Sequence, residues 1–359
     1  MCENEISFKN VFFTSDDVLY NKYKNSFCGK VFNKLEQIEE YEEDDYLLFV
    51  LKNEKLLSDL ADFIPLENEK QLPLIVNDVG IMFNNFFDEN HFDALCSEHA
   101  FQSLTESTKP GVSYRKGVYI TNVEKDENND LTFKLLRCST NLDGPTENFR
   151  KTDNLILHKL NYFSKYFYKQ KVELNHVLAQ VYENKIVNGK EKKAKIKDHS
   201  DKTKDMPIEG LMAFCTFYNQ DIKDVNALTK LRFRLKECVQ DEKYIKNFDL
   251  VLQNKSVFLM SLKTNRLYTH EIIPSYLNID KMPTRMGYVV RCSKTISVFK
   301  NNSTFIKNGD ELVKLEPCTE EQIKSLKELY TQENVSDKQM VYPLINFSLN
   351  NGDYKEPML

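Results

Sequence analysis

Between Leu174 and Phe299 apolar and polar positions alternate in short runs. "NHVLAQVY", "AKIKDHSD", "GLMAFCTFYN", "KLRFRLKE", "NKSVFLMSL", "RLYTHEI" and "MGYVVRCSKTISVF" each read as a strand, with turn signals between them. That pattern predicts an antiparallel sandwich or barrel. Elsewhere the period changes to three and four residues. "FNKLEQIEEYEEDDYLLFVL" and "EKLLSDLADF" lean to helix, as do Asp88–Leu104 and "NLILHKLNYFSKYFYKQ". So does "PCTEEQIKSLKELY", where Thr319 and Gln322 have the spacing of a capping box. Two further strand-like runs, "SYRKGVYITNV" and "LTFKLLRCS", flank the turn-rich "EKDENNDL". The expected organisation is a helical N-terminal extension over 1–72, a main domain over 73–300, and a C-terminal extension with a helix over 301–359. No internal repeat or low-complexity segment interrupts it.

Composition narrows the class. The chain has 359 residues, 41% hydrophobic and 29% charged, as in a soluble globular protein. "MCENEISFKN" lacks the basic and apolar regions of a signal peptide, and runs such as "YLLFVL" and "SVFLM" are too short to span a membrane. The expectation is an intracellular protein, cytoplasmic or nuclear, with no membrane partner. None of the eight cysteines forms a CxxC pair or a zinc-like pattern, so reduced thiols are expected. The net charge of −5 argues against a broad phosphate-gripping face. Any nucleic-acid contact needs a local patch. "KIVNGKEKKAKIKDHSDKTK" offers one, with eight lysines against three acids. It reads as a solvated hairpin tip, or as a field that steers an anionic substrate.

The candidate chemistry begins in that patch. His199 and Asp201 follow an extended run, where residues i and i+2 share a face. A second H-x-D, His91 and Asp93, lies in a helical pattern, where such side chains diverge. A facial metal site needs two imidazoles and one carboxylate. The second imidazole must come from His158, His176 or His270. His270 is the choice, because a later strand of a closed sheet returns beside the earlier ones. Arg285 and Arg291 lie six residues apart on one strand, so both share a face with Gly287 and Val289. Two buried cations require anions. A small dicarboxylate would satisfy both, and buried bridges to Asp or Glu are the alternative.

Taken in order, these pieces resemble the AlkB-like branch of the Fe(II)/2-oxoglutarate dioxygenases. "LAQVY" ending at Tyr182 is similar to that family's N-x-Y strand, "HSDK" to its H-x-D, "NRLYTHEI" to its R-L-x-x-H segment, and "RMGYVVR" to its R-x5-R. Residues 174–295 carry the resemblance. Gln180 stands where the family has Asn, and "NKIVNGKEKKAK" adds about a dozen residues before the metal motif.

The resemblance implies an α+β protein with a double-stranded β-helix (jelly-roll) barrel and packing helices. It implies Fe(II) on His199, Asp201 and His270. Arg285 would hold the far carboxylate of 2-oxoglutarate, Arg291 would lie nearer the metal, and Tyr182 would donate to the co-substrate. Dioxygen is the other co-substrate, and the products are succinate, CO2 and a hydroxylated C–H bond. "SYRKGVYITNV" would be a lid hairpin with Tyr114 or Tyr119 stacking on a base, or a plain strand. Three functions stay open: oxidative demethylation of a nucleic-acid base, hydroxylation of a protein side chain or small metabolite, and a non-catalytic binding barrel.

Overall fold

The computed structural model describes residues 79–359 apart from 107–112, 168–172, 222–223 and 243, together with five short strands nearer the N-terminus. Its centre is a pair of facing antiparallel sheets. The larger holds, in pairing order, His176–Tyr182, Arg285–Arg291, Leu211–Tyr218 and Ser256–Ser261. The smaller holds Ile196–His199, Tyr268–Ile273, Lys230–Leu235 and Asn247–Val251. The chain passes back and forth between the two sheets, except for the hairpin of Lys230–Leu235 and Asn247–Val251 within the smaller one, and its first barrel strand lies beside its last. This is the double-stranded β-helix that the resemblance implied. Outer strands extend the larger sheet, among them Gly80–Phe83 and Arg115–Thr121.

Alternation along the strands sorts the core into two layers. Val177, Ala179, Ala213, Phe217, Leu259, Tyr288 and Val290 face outward and meet Leu95, Ile156 and Leu160 from two helices. Each such Leu or Ile contributes roughly 1.5–3 kcal/mol by leaving water. Tyr182, Met212, Phe214, Phe258 and Met260 face inward and meet Leu231, Phe233, Leu250 and Ile272 of the smaller sheet. The packing helices are Phe92–Glu98 and Lys151–Phe167. The first is shorter than the expected Asp88–Leu104. It stops before His99, whose extended backbone carries its ring to two carboxylates.

Two organisational expectations change. The segment 1–72, expected to be helical, contributes Val11–Thr14, Lys30–Phe32, Leu48–Leu51 and Phe63–Pro65, all paired in parallel. Strands of parallel sheets read as short continuous apolar runs, which do not disturb a helical period in the surrounding acidic sequence. The remainder of that reading lies outside the described residues. The segment 301–359 does carry its helix, Glu320–Val335, with both hydrogen bonds of the Thr319–Gln322 capping box. It also adds Ser303–Asn308 and Glu311–Lys314 to a separate five-stranded sheet. Among the described residues, no helix is long and apolar enough to cross a membrane.

Candidate metal and dicarboxylate site

His199 ends its strand directly opposite His270 in the register, and the two rings lie 4.5 Å apart between centroids. Asp201 sits two residues later, beyond the paired strand. Its Oδ1 is 3.4 Å from His199 Nε2 and 3.9 Å from His270 Nε2. One donor atom from each side chain lies within 4.8 Å of the other two. His199 Nδ1 donates to the Lys197 carbonyl at 2.8 Å, which leaves Nε2 with its lone pair in the neutral ring. Burial, then the neighbouring His199, lowers the His270 pKa to about 3, so this imidazole is neutral. Burial alone would raise the Asp201 pKa. The Arg291 guanidinium outweighs it and holds the carboxyl well below the usual range. Two imidazoles and one carboxylate on one side of a cavity fit a divalent iron with open positions.

Both arginines face the same cavity, but their partners differ. Arg291 Nε donates to Asp201 Oδ2 at 2.7 Å. Sequence reasoning offered both guanidiniums to one dicarboxylate. Arg291 is instead engaged by Asp201, which lies beyond the end of its paired strand. Arg285 is only 4% exposed and has no carboxylate beside it among the described residues. Its guanidinium carbon lies 3.8 Å from the centroid of the Tyr182 ring, and its Nε and Nη2 have no hydrogen-bond partner among the described residues. Gly287 opens the space next to it: a Cβ there would stand 3.1 Å from Arg285 Nη1 and 3.3 Å from Tyr182 Cε2. The Tyr182 hydroxyl reaches 3.5 Å from Gln180 Oε1. Leu231, Leu252, Ile272 and Val289 form an apolar wall of the cavity that Arg285 shares with His199, Asp201 and His270.

The other sequence candidates lie elsewhere. His158 is on the exposed face of its helix, and His176 is buried opposite Arg291. His91 stands at the N-cap position of the Phe92–Glu98 helix without a side-chain cap bond and packs edge-on against Phe87 and Phe217, while Asp93 is exposed. The lid reading of "SYRKGVYITNV" is overturned. Arg115–Thr121 pairs along its whole length with His176–Tyr182, and Tyr119 is buried with its hydroxyl 2.8 Å from Cys138 Sγ. The strand period fits either reading, and only the pairing decides. The lysine run is a hairpin, Lys185–Val187 with Lys190–Lys192, turned by Asn188 and Gly189 in left-handed conformations.

A second cluster, Glu98, His99 and Asp153, gathers metal-type side chains outside the barrel. Both His99 nitrogens are already taken, by Glu147 at 2.8 Å and Asp153 at 2.7 Å. Sequence reasoning also missed Asn265, whose amide holds the backbone of Asp201 on both sides. A lone Asn in "SLKTNRLY" carries no signal of that role.

No protein-family model matches the chain, and no curated protein does. Among solved structures, the chain is similar to a prolyl hydroxylase from Trichoplax adhaerens in complex with a hypoxia inducible factor oxygen degradation domain peptide fragment. The TM-score is 0.33 at 10% identity, over 56% of this chain and 74% of that one.

Proposed function

We propose that the protein is an Fe(II)- and 2-oxoglutarate-dependent oxygenase that hydroxylates a C–H bond. The observation that carries this reading is the pairing of two features across one cavity: a two-imidazole, one-carboxylate cluster and a buried arginine with unpartnered N–H groups. In this reading His199, Asp201 and His270 hold the iron. Arg285 takes the far carboxylate of 2-oxoglutarate through its fork of donors, with the Tyr182 hydroxyl beside it. Arg291 neutralises Asp201 and fixes the direction of its carboxylate. The apolar wall keeps water from the space between. Iron with 2-oxoglutarate and dioxygen supplies the oxidative chemistry, with succinate and CO2 as products. Residues 73–300 form the oxygenase domain.

The substrate is the finer question. The ordered motifs similar to the AlkB-like branch support a methylated nucleic-acid base, approached along the Lys185–Lys192 hairpin. The burial of Tyr119 and the net charge of −5 favour the second reading, a protein side chain or small metabolite. Anaerobic addition of Fe(II) and then 2-oxoglutarate tests the chemistry. A visible metal-to-ligand charge-transfer band is expected in the wild type and absent in His199→Ala. Failure of the wild type to give either the band or 2-oxoglutarate-dependent succinate would refute the reading. Succinate counted with and without methylated oligonucleotides separates the two substrate classes.

A further inference from the structure

The paired strand ends at His199, yet the next proposed ligand is Asp201. A carboxylate beyond the last ladder bond needs another hold on its backbone. Asn265, 1% exposed on the short helix Leu262–Leu267, supplies it. Its Oδ1 accepts the Asp201 N–H at 2.9 Å, and its Nδ2 donates to the Asp201 carbonyl at 2.9 Å. One side-chain amide thus replaces a neighbouring strand at this residue.

The flanking residues are held from the other side, by the last turn of the Glu320–Val335 helix. Asn334 Oδ1 accepts the Ser200 N–H at 3.0 Å and also the Lys202 ammonium. Lys202 Nζ donates to the Tyr330 carbonyl at 3.0 Å. Glu333, itself buried, accepts the Thr203 N–H at 3.1 Å and the Thr203 hydroxyl. Lys236, from the smaller sheet, donates to the carbonyls of Glu333 and Ser336 at 2.8 and 2.9 Å. Lys236 thus meets carbonyls that the helix end leaves without helical partners, where positive charge is favoured.

We infer that Asn265 and the last turn of the Glu320–Val335 helix are positioning elements that clamp residues 200–203 and so aim the Asp201 carboxylate, which makes the C-terminal segment part of the metal centre. The inference rests on the reading of His199, Asp201 and His270 as metal ligands. Groups that orient a ligand carboxylate typically hold 10–100-fold in metal affinity. Asn334 uses only its acceptor oxygen in these contacts, so a carboxylate can replace it. Asn265 uses both acceptor and donor, so neither alanine nor aspartate can.

The test titrates Co(II) alone, without 2-oxoglutarate, into the wild type, Asn265→Ala, Asn334→Ala and Asn334→Asp. Hydrogen exchange of the amides at 200–203 and thermal midpoints are read on the metal-free proteins. Both alanine variants should bind Co(II) roughly 10–100-fold more weakly and exchange those amides faster, while Asn334→Asp keeps wild-type values. Equal Co(II) affinity in the wild type and both alanine variants overturns this inference alone. A fall in midpoint with unchanged affinity does the same, since that is what mere packing produces. If the wild type takes up no Co(II), the metal reading itself fails and this inference goes with it.

Discussion

Arg285 and Arg291 show how much one residue's surroundings decide. They lie on one strand and one face, both buried, yet one is paired and the other is not. A buried guanidinium with idle N–H groups is a cost to the ligand-free protein. Replacing it with an apolar side chain of similar length removes that cost and loses only a stacking contact. Arg285→Met should therefore stabilise the ligand-free protein by about 1 kcal/mol, within the range for buried charges replaced by apolar groups. It should also weaken 2-oxoglutarate roughly a hundredfold, the loss of charged hydrogen bonds of about 3 kcal/mol. Thermal unfolding with and without 2-oxoglutarate checks both parts. The co-substrate should raise the wild-type midpoint and leave that of Arg285→Met unmoved. A variant still protected by 2-oxoglutarate would remove Arg285 from the site. The even spacing of the pair made their shared face legible. The partner of Arg291 was not, because Asp201 reaches it only through a loop whose course depends on Asn265 and on residues near 334.

Between elements, the junction of the Phe92–Glu98 and Lys151–Phe167 helices is fixed by charge rather than by apolar contact alone. His99 sits between Glu147 and Asp153, and Tyr288 donates to the second Asp153 oxygen at 2.7 Å. Burial would lower the His99 pKa, but its hydrogen bonds to the two carboxylates win and raise it to about 9. The folded value thus exceeds the ordinary value of 6.5, so the folded state binds this proton more tightly than the unfolded chain. The stabilisation is complete below pH 6.5 and is lost as pH rises through 9. It amounts to at most about 3 kcal/mol. Urea midpoints measured from pH 6 to pH 10 should fall across that window in the wild type, and the His99 contribution should vanish in His99→Gln. An unchanged slope in the variant would show that other groups carry the effect. "CSEHA" looked like part of one helix because three- and four-residue spacing continues through it. The strong pairing of His99 with distant acids overrides that local pattern, and no local pattern could reveal it.

Across the whole molecule, alternation exposed seven of the eight barrel strands, since each buried face imposes a period of two whatever its partner, and it missed Asn247–Val251. Which strand pairs with which is a long-range fact. The sequence offered only the expectation that the strand of His270 returns beside earlier ones, and the pairing of His199 with His270 is that contact. The N-terminal parallel strands left no such trace. The far end of the chain was the least legible, and one of the contacts that tie it to the rest of the molecule is built on a buried ion pair. Arg137 grips Asp205 through Nε and Nη2 at 3.1 and 2.7 Å. The same guanidinium donates through Nη1 to the carbonyls of Ile345 and Phe347 at 2.6 and 3.1 Å. Asp205 also receives Lys204, and its carboxyl is held well below the ordinary range by Lys204 and Arg137 against the cost of burial. Removing one partner of a buried pair costs about 3–5 kcal/mol, because the other charge stays behind without it. Arg137→Ala should lose that much in urea unfolding and should also free the carbonyls of the C-terminal segment. Limited proteolysis should then cut near residues 340–350 first in the variant, ahead of any cut in the barrel. If the variant unfolds with wild-type stability, or is cut first within the barrel, Arg137 does not join the C-terminal segment to the sheets.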